Sequence, residues 1–189
     1  MTDFYFDFIW REMMKKQLLN IMERKELVEL YSDTEDVRKF DVVKILNVSD
    51  AFIVAANIAS NGMYDGYRLL YLDNIHQMNI NTKYIKKIKK LYVSKKQKHM
   101  EFVDGNDDLL LSFLDFAHKH HFMVSVDLFN VHGEVQGFIK NLEDDIFVIS
   151  MVNEVGELDG EAFIKSDAIH AMSCDDQDVS DLMRIFSEA

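Results

Sequence analysis

Apolar residues recur along this chain in two rhythms. Trp10, Met14, Leu18, Ile21 and Met22 lie three or four positions apart, as do Leu109, Leu110, Phe113, Leu114 and Ala117, so each set covers one face of a helix. Asn106 stands where it would cap the second of these helices. Continuous apolar runs rich in β-branched and aromatic residues follow Asp50 (AFIVAANI) and Asp145 (IFVISMVN), and both are short enough to be buried strands. Helical spacing then returns in Ile85, Ile88, Leu91 and Tyr92, and again in Val179, Leu182, Ile185 and Phe186. The predicted order, met twice, is amphipathic helix, about five short strands, amphipathic helix.

One motif is also written twice. Gly62 to Gly66 and Gly156 to Gly160 both read Gly-x-x-Asp-Gly, 94 positions apart. At the same offset DNIHQM (73–78) lies over DAIHAM (167–172), matching Asp73 and His76 to Asp167 and His170. Upstream of the motif the best match shifts to an offset of 95, which lays DAFIVAANI (50–58) over DIFVISMVN (145–153). An internal duplication accounts for all of this. It predicts a mostly β, α+β protein of two repeats, residues 1–98 and 99–189, joined near 93–106. Asp-Gly between apolar strands is a strong hairpin signal, so Asp65-Gly66 and Asp159-Gly160 are expected at the bends.

A helix followed by five short, bent strands in each half resembles the Sm-like and SH3-like small barrels. Gly137 falls where Sm-like proteins carry a strand-bending glycine, with Val42 at the matching place in the first half. The stretch ILNVSDAFIVAANIASNGMYDGYRLLYLDNIHQMNINTKYIKKIKKL is similar to a pattern of uncharacterised bacterial proteins. The resemblance implies two tandem five-stranded antiparallel barrels, each with an N-terminal and a C-terminal helix. It brings no activity with it. Val54 occupies the place of the asparagine in the Sm-like RNA-binding loop, so RNA binding does not follow from the resemblance.

Charge sharpens the contrast between the halves. The net charge is −12, yet residues 1–99 hold 17 Lys/Arg against 13 Asp/Glu, while residues 100–189 hold 4 against 20. Only the first half offers a basic surface for an anionic partner. Its centre is Lys83, Lys86, Lys87 and Lys90 on one face of the 83–98 segment, with Tyr84 and Tyr92 as candidate stacking platforms for a nucleic acid. The corresponding segment of the second half carries Asp175, Asp176, Asp178 and Asp181, a complement that suits self-association, a homodimer included. No apolar run suggests a signal peptide or membrane span, and Cys174 is the sole cysteine, so a cytoplasmic location is expected.

Two further groupings suggest chemistry. In Asp73-x-Ile-His76 and Asp167-x-Ile-His170 a carboxylate stands near an imidazole, the arrangement of an oriented general base. No Ser or Cys nucleophile recurs beside either pair, which favours a structural role. His118, His120 and His121 cluster near Asp115, but helical spacing points His120 away from the others. The sequence therefore predicts a non-enzymatic interaction or scaffold protein with no cofactor and no metal. A nucleic-acid-binding module is the alternative, and an enzyme using the Asp and His pairs ranks third.

Overall fold

The helix faces read from the spacing are the ones that pack. In a computed structural model, which describes residues 2–33, 36–105, 108–129, 133–143 and 145–188 (backbone alone for 2–8, 143 and 188), Met14, Leu18 and Ile21 of α1 (Thr2–Glu23) are buried. Trp10, expected on the same face, is exposed. Leu110, Phe113, Leu114 and Ala117 are buried on α3 (Leu109–Lys119). The cap of α3 is Asp108, whose carboxylate accepts from the Leu110 N–H at 2.8 Å, while Asn106 lies outside the described residues.

The chain divides into two compact units, Met1–Tyr64 with Leu70–Met100, and Asp65–Leu69 with Glu101–Ala189. After α1 come β1 (Leu27–Tyr31), β2 (Asp41–Val48), β3 (Phe52–Ile58), β4 (Tyr64–Tyr71), β5 (Gln77–Ile80) and α2 (Lys83–Ser94). After α3 come β6 (Val124–Leu128), β7 (Glu134–Glu143), β8 (Ile146–Val152), β9 (Leu158–Lys165), β10 (Ile169–Cys174) and α4 (Gln177–Glu188). A single 3-10 turn precedes β5 at Leu72–Asn74 and β10 at Ser166–Ala168.

The strands form one open antiparallel sheet in the order β5-β1-β2-β3-β4-β10-β6-β7-β8-β9. This overturns the expected pair of closed five-stranded barrels with two helices each. Closure of either set would need β4 to pair with β5 and β9 with β10. Instead β4 has β10 at its outer edge, and β5 and β9 are the two ends. Alternation along a strand encodes which face is buried, but it does not encode which strand an edge will meet.

The Asp-Gly bends are also misplaced by the sequence. The chain reverses one step earlier, where the Ala59 N–H donates to Met63 O at 3.0 Å and the Gly62 N–H to Ala59 O at 2.7 Å. Asn153, Gly156 and Glu157 repeat this, at 2.9 Å for both bonds. Asparagine side chains tighten these turns: Asn61 Oδ1 accepts from the Met63 N–H, and Asn153 Oδ1 from the Val155 and Glu157 N–H groups. Asp65-Gly66 and Asp159-Gly160 sit inside β4 and β9. The reversal is carried by Gly62 and Gly156, at φ of +77° and +79°.

The 95-residue offset for the buried strands does not hold either. Irregularities in the ladders fall between Ile45 and Asn47 and between Ile139 and Asn141, and the Leu72 N–H to Ala51 O bond is matched by Ser166 to Asp145. These features are 94 apart, so Ala51, not Asp50, corresponds to Asp145. A slip of one residue would turn every side chain to the opposite face.

Each C-terminal helix seals a small apolar cluster of its own unit. Ile88 of α2 packs with Val42 and Ile58, flanked by Phe40, Tyr84 and Tyr92. Val179 and Leu182 of α4 pack with Met123 and Val152, flanked by Phe138 and Phe186. Burying Ile88 completely contributes about 1.5–3 kcal/mol by removing its surface from water.

Candidate interaction surfaces

The basic helix docks its apolar face on its own unit and leaves its lysines outward. Thr82 Oγ1 caps α2 by accepting from the Ile85 N–H at 3.0 Å and donates to Glu29 Oε1 at 2.5 Å. Glu29 is buried in β1 and also accepts from Asn79 Nδ2 at 3.0 Å, so the start of α2 is tied to the strand beneath it. Lys83, Lys86, Lys87 and Lys90 are exposed and, with Leu91, line an open depression of about 450 Å³. Lys87 Nζ lies 5.6 Å from the Tyr84 ring centre, within cation–π reach.

The two tyrosines are engaged locally. Tyr84 meets Phe40 edge-on at 5.6 Å. His99 Nε2 donates to Asn57 O at 2.9 Å, which leaves Nδ1 to accept from the Tyr92 hydroxyl at 2.8 Å, and the two rings stack. Partial burial pushes the Tyr92 phenol pKa above its ordinary value, and the His99 contact offsets part of that rise.

The Asp and His pairs are drawn toward other groups. Asp73 faces Arg11 at 3.3 Å, and the same guanidinium holds the Asp50 carbonyl. His76 Nε2 lies 3.4 Å from Val37 O, with its ring edge-on to Tyr31. Asp167 forms an ion pair with Lys165, and His170 meets Phe129 edge-on at 5.0 Å. His118 Nδ1 hydrogen-bonds Ile139 O at 2.9 Å, and His120 packs between Phe116 and Phe122. Among the described residues no three His, Cys, Asp or Glu side chains gather in a metal-binding group, and no helix is long and apolar enough to cross a membrane.

Asp65 and Asp159 have different surroundings. Within the second unit Asp65 Oδ1 accepts from the Gln177 N–H at the start of α4, at 3.3 Å. Beside it a Cβ on Gly66, at φ +68°, would lie 2.4 Å from both Cys174 O and Asp176 N. Gly66 is therefore a close-approach glycine: it lets the end of β10 lie against β4. Gly160 has the same conformation at φ +81°, yet a Cβ there would meet only the tip of Met151 at 3.9 Å.

Sequence reasoning overlooked the surface at β9. Phe163 is 73% exposed and Leu158 66% exposed, on a strand that among the described residues has a neighbour on one side only. Ile146, across the ladder from Lys165, adds to this apolar surface. A signal for it exists in the sequence. YDGYRLLY of β4 is apolar on both faces, whereas LDGEAFIK of β9 puts Glu161 and Lys165 where β4 has Tyr67 and Tyr71, as an edge strand does.

No protein-family model matches the chain, and neither a curated protein nor a solved structure matches it.

Proposed function

We propose that the protein works by binding, as a non-enzymatic interaction or scaffold protein whose main contact surface is the β8–β9 edge of the second unit. The observation that carries this reading is Phe163, a large aromatic side chain 73% exposed on a strand with an open ladder. Exposed apolar groups beside unpaired backbone donors and acceptors are what strand addition by a protein partner uses. A cytoplasmic site of action accords with the free, buried Cys174 thiol. The test is a photo-crosslinking phenylalanine analogue at Phe163 in the cells that make the protein. Discrete protein adducts at 163, and none from the same analogue at exposed Lys119, are expected. Absence of adducts, or adducts with nucleic acid alone, overturns the reading.

A second reading is favoured by one observation, the gathering of Lys83, Lys86, Lys87 and Lys90 around an open depression. Those cations suit a phosphate backbone. A salt-sensitive gel shift, abolished by Lys86→Glu, Lys87→Glu and Lys90→Glu together, supports it, and no binding at low salt removes it.

A further inference from the structure

We infer that β9 of one chain pairs with β5 of another, so that the protein assembles head to tail through the same kind of strand junction that β4 and β10 make within one chain. This rests on the interaction reading above and names the partner as a second copy.

Residues 94 apart set the ends of the sheet against its middle. By that offset β9 corresponds to β4 and β5 to β10, yet β4 and β10 each have strands on both sides, while β9 and β5 are the ends of the sheet. The burial differs accordingly. Leu69 is completely buried and its counterpart Phe163 is 73% exposed; Cys174 is completely buried and its counterpart Ile80 is 46% exposed. Residues covered in the middle of the sheet, where a strand adjoins on each side and Phe116 and Phe122 pack on Tyr67, have exposed counterparts at its two ends.

Both ends already hold the backbone shape the junction uses. Gly66 lets residues 174–176 approach, and Asp175 there adopts φ +55°. Gly160 keeps the left-handed conformation with open space around it, and Asn81, the counterpart of Asp175, sits at φ +59°. At both ends a residue type that tolerates positive φ, asparagine at 81 and glycine at 160, holds the conformation used at the junction. By analogy with Asp65 and Gln177, Asp159 of one chain would accept from the Lys83 N–H of the next, at the first turn of α2. Charge agrees, since this end of β9 lies in the acidic half and α2 is the basic helix. Because each chain offers one end of each kind, the contact is heterologous and either closes a ring or propagates.

The test uses the whole chain, with light scattering and sedimentation velocity over a concentration series. Masses rising above 22.1 kDa with concentration are expected. Gly160→Val, which would put side-chain atoms where the neighbour's backbone must come, and Ile80→Lys should each weaken association at least about tenfold, with unchanged circular dichroism. Mixing Asp159→Cys with Lys83→Cys protein should give a mixed disulfide in excess over either variant alone. A mass fixed at 22.1 kDa at the highest soluble concentration overturns the inference, as does assembly untouched by both edge variants. If those variants fail to fold, the cysteine mixture decides: like-with-like disulfides in equal yield overturn it. A monomeric chain that still crosslinks to a different protein through position 163 sinks the inference and leaves the interaction reading standing.

Discussion

The two halves of the chain follow one order of elements, but corresponding strands have opposite fates. At the end of β10, Cys174 is shut away; at the end of β5, Ile80 faces solvent. On β4, Tyr67 and Leu69 are completely buried, while Glu161 and Phe163 on β9 are exposed. Local propensity does not account for this, because the turns, the 3-10 segments and the left-handed residues correspond at both places. What differs is what lies beside and over the strand: β4 has a strand on each side and Tyr67 packs against Phe116 of α3 and Phe122, whereas β9 is an end of the sheet. Burial of a strand belongs to its surroundings and not to the strand alone.

The widest gap between the halves should appear in thiol labelling. Burial first, then Asp175 and Asp176, pushes the Cys174 pKa well above its ordinary value, so the thiol stays protonated and enclosed. In dilute solution a thiol reagent should label an Ile80→Cys, Cys174→Ser chain roughly 100-fold faster or more than the wild-type chain. Raising the protein concentration should protect position 80, if the edge pairs with another copy. Equal labelling rates at low concentration would break the comparison.

Glycine replacement comes next. Gly66→Ala forces a Cβ against backbone atoms at 2.4 Å, and a loss of about 3 kcal/mol or more is expected from denaturant unfolding. Gly160→Ala in dilute solution pays only for its left-handed backbone, about 1–2 kcal/mol. Equal losses would mean that close approach at β4 does not matter. The C-terminal helices give a third contrast. Ile88→Ala removes a completely buried side chain and should cost about 3–4 kcal/mol, and Leu182→Ala, at 8% exposure, about 2–3 kcal/mol.

Caps separate the units by less. Thr82→Ala removes both the α2 cap and a partner of buried Glu29, for about 2 kcal/mol in all. Asp176→Ala removes the Val179 N–H acceptor of α4 and should cost about 1 kcal/mol. Smallest of all, Lys86→Glu should shift the thermal midpoint barely, within about 0.5 kcal/mol, because its side chain is solvated. A large change there would place the lysine face in structural contact.

Periodicity made the helices legible: Met14, Leu18, Ile21, Ile85 and Ile88 are buried where spacing of three and four put them. Position within a strand was harder. The shift of offset to 95 aligned Asp50 with Asp145 because both are acids preceding an apolar run, whereas the ladder bulges show Ala51 in that place. Asp-Gly misled for a related reason. Both glycines take a positive φ inside a strand and not at the bend, and Gly66 does so at a meeting of strands far apart in sequence. Tyr84 and Tyr92 read as stacking platforms from the helix alone because Phe40 and His99, which they contact, lie outside it. Contacts of long sequence separation are what a one-dimensional pattern omits, and the edge at β9 is defined by just such a contact being missing.

The tips at Gly62 and Gly156 also constrain anyone who would modify this molecule. A Cβ on Gly62 would lie 2.4 Å from Leu91 Cβ and 2.9 Å from Tyr92 N, and one on Gly156 would press equally on Ile185 and Phe186. Hairpin tips are the usual choice for inserting an epitope or fusing a reporter. Here both are wedged under a helix, so a graft at either would lever that helix off its sheet.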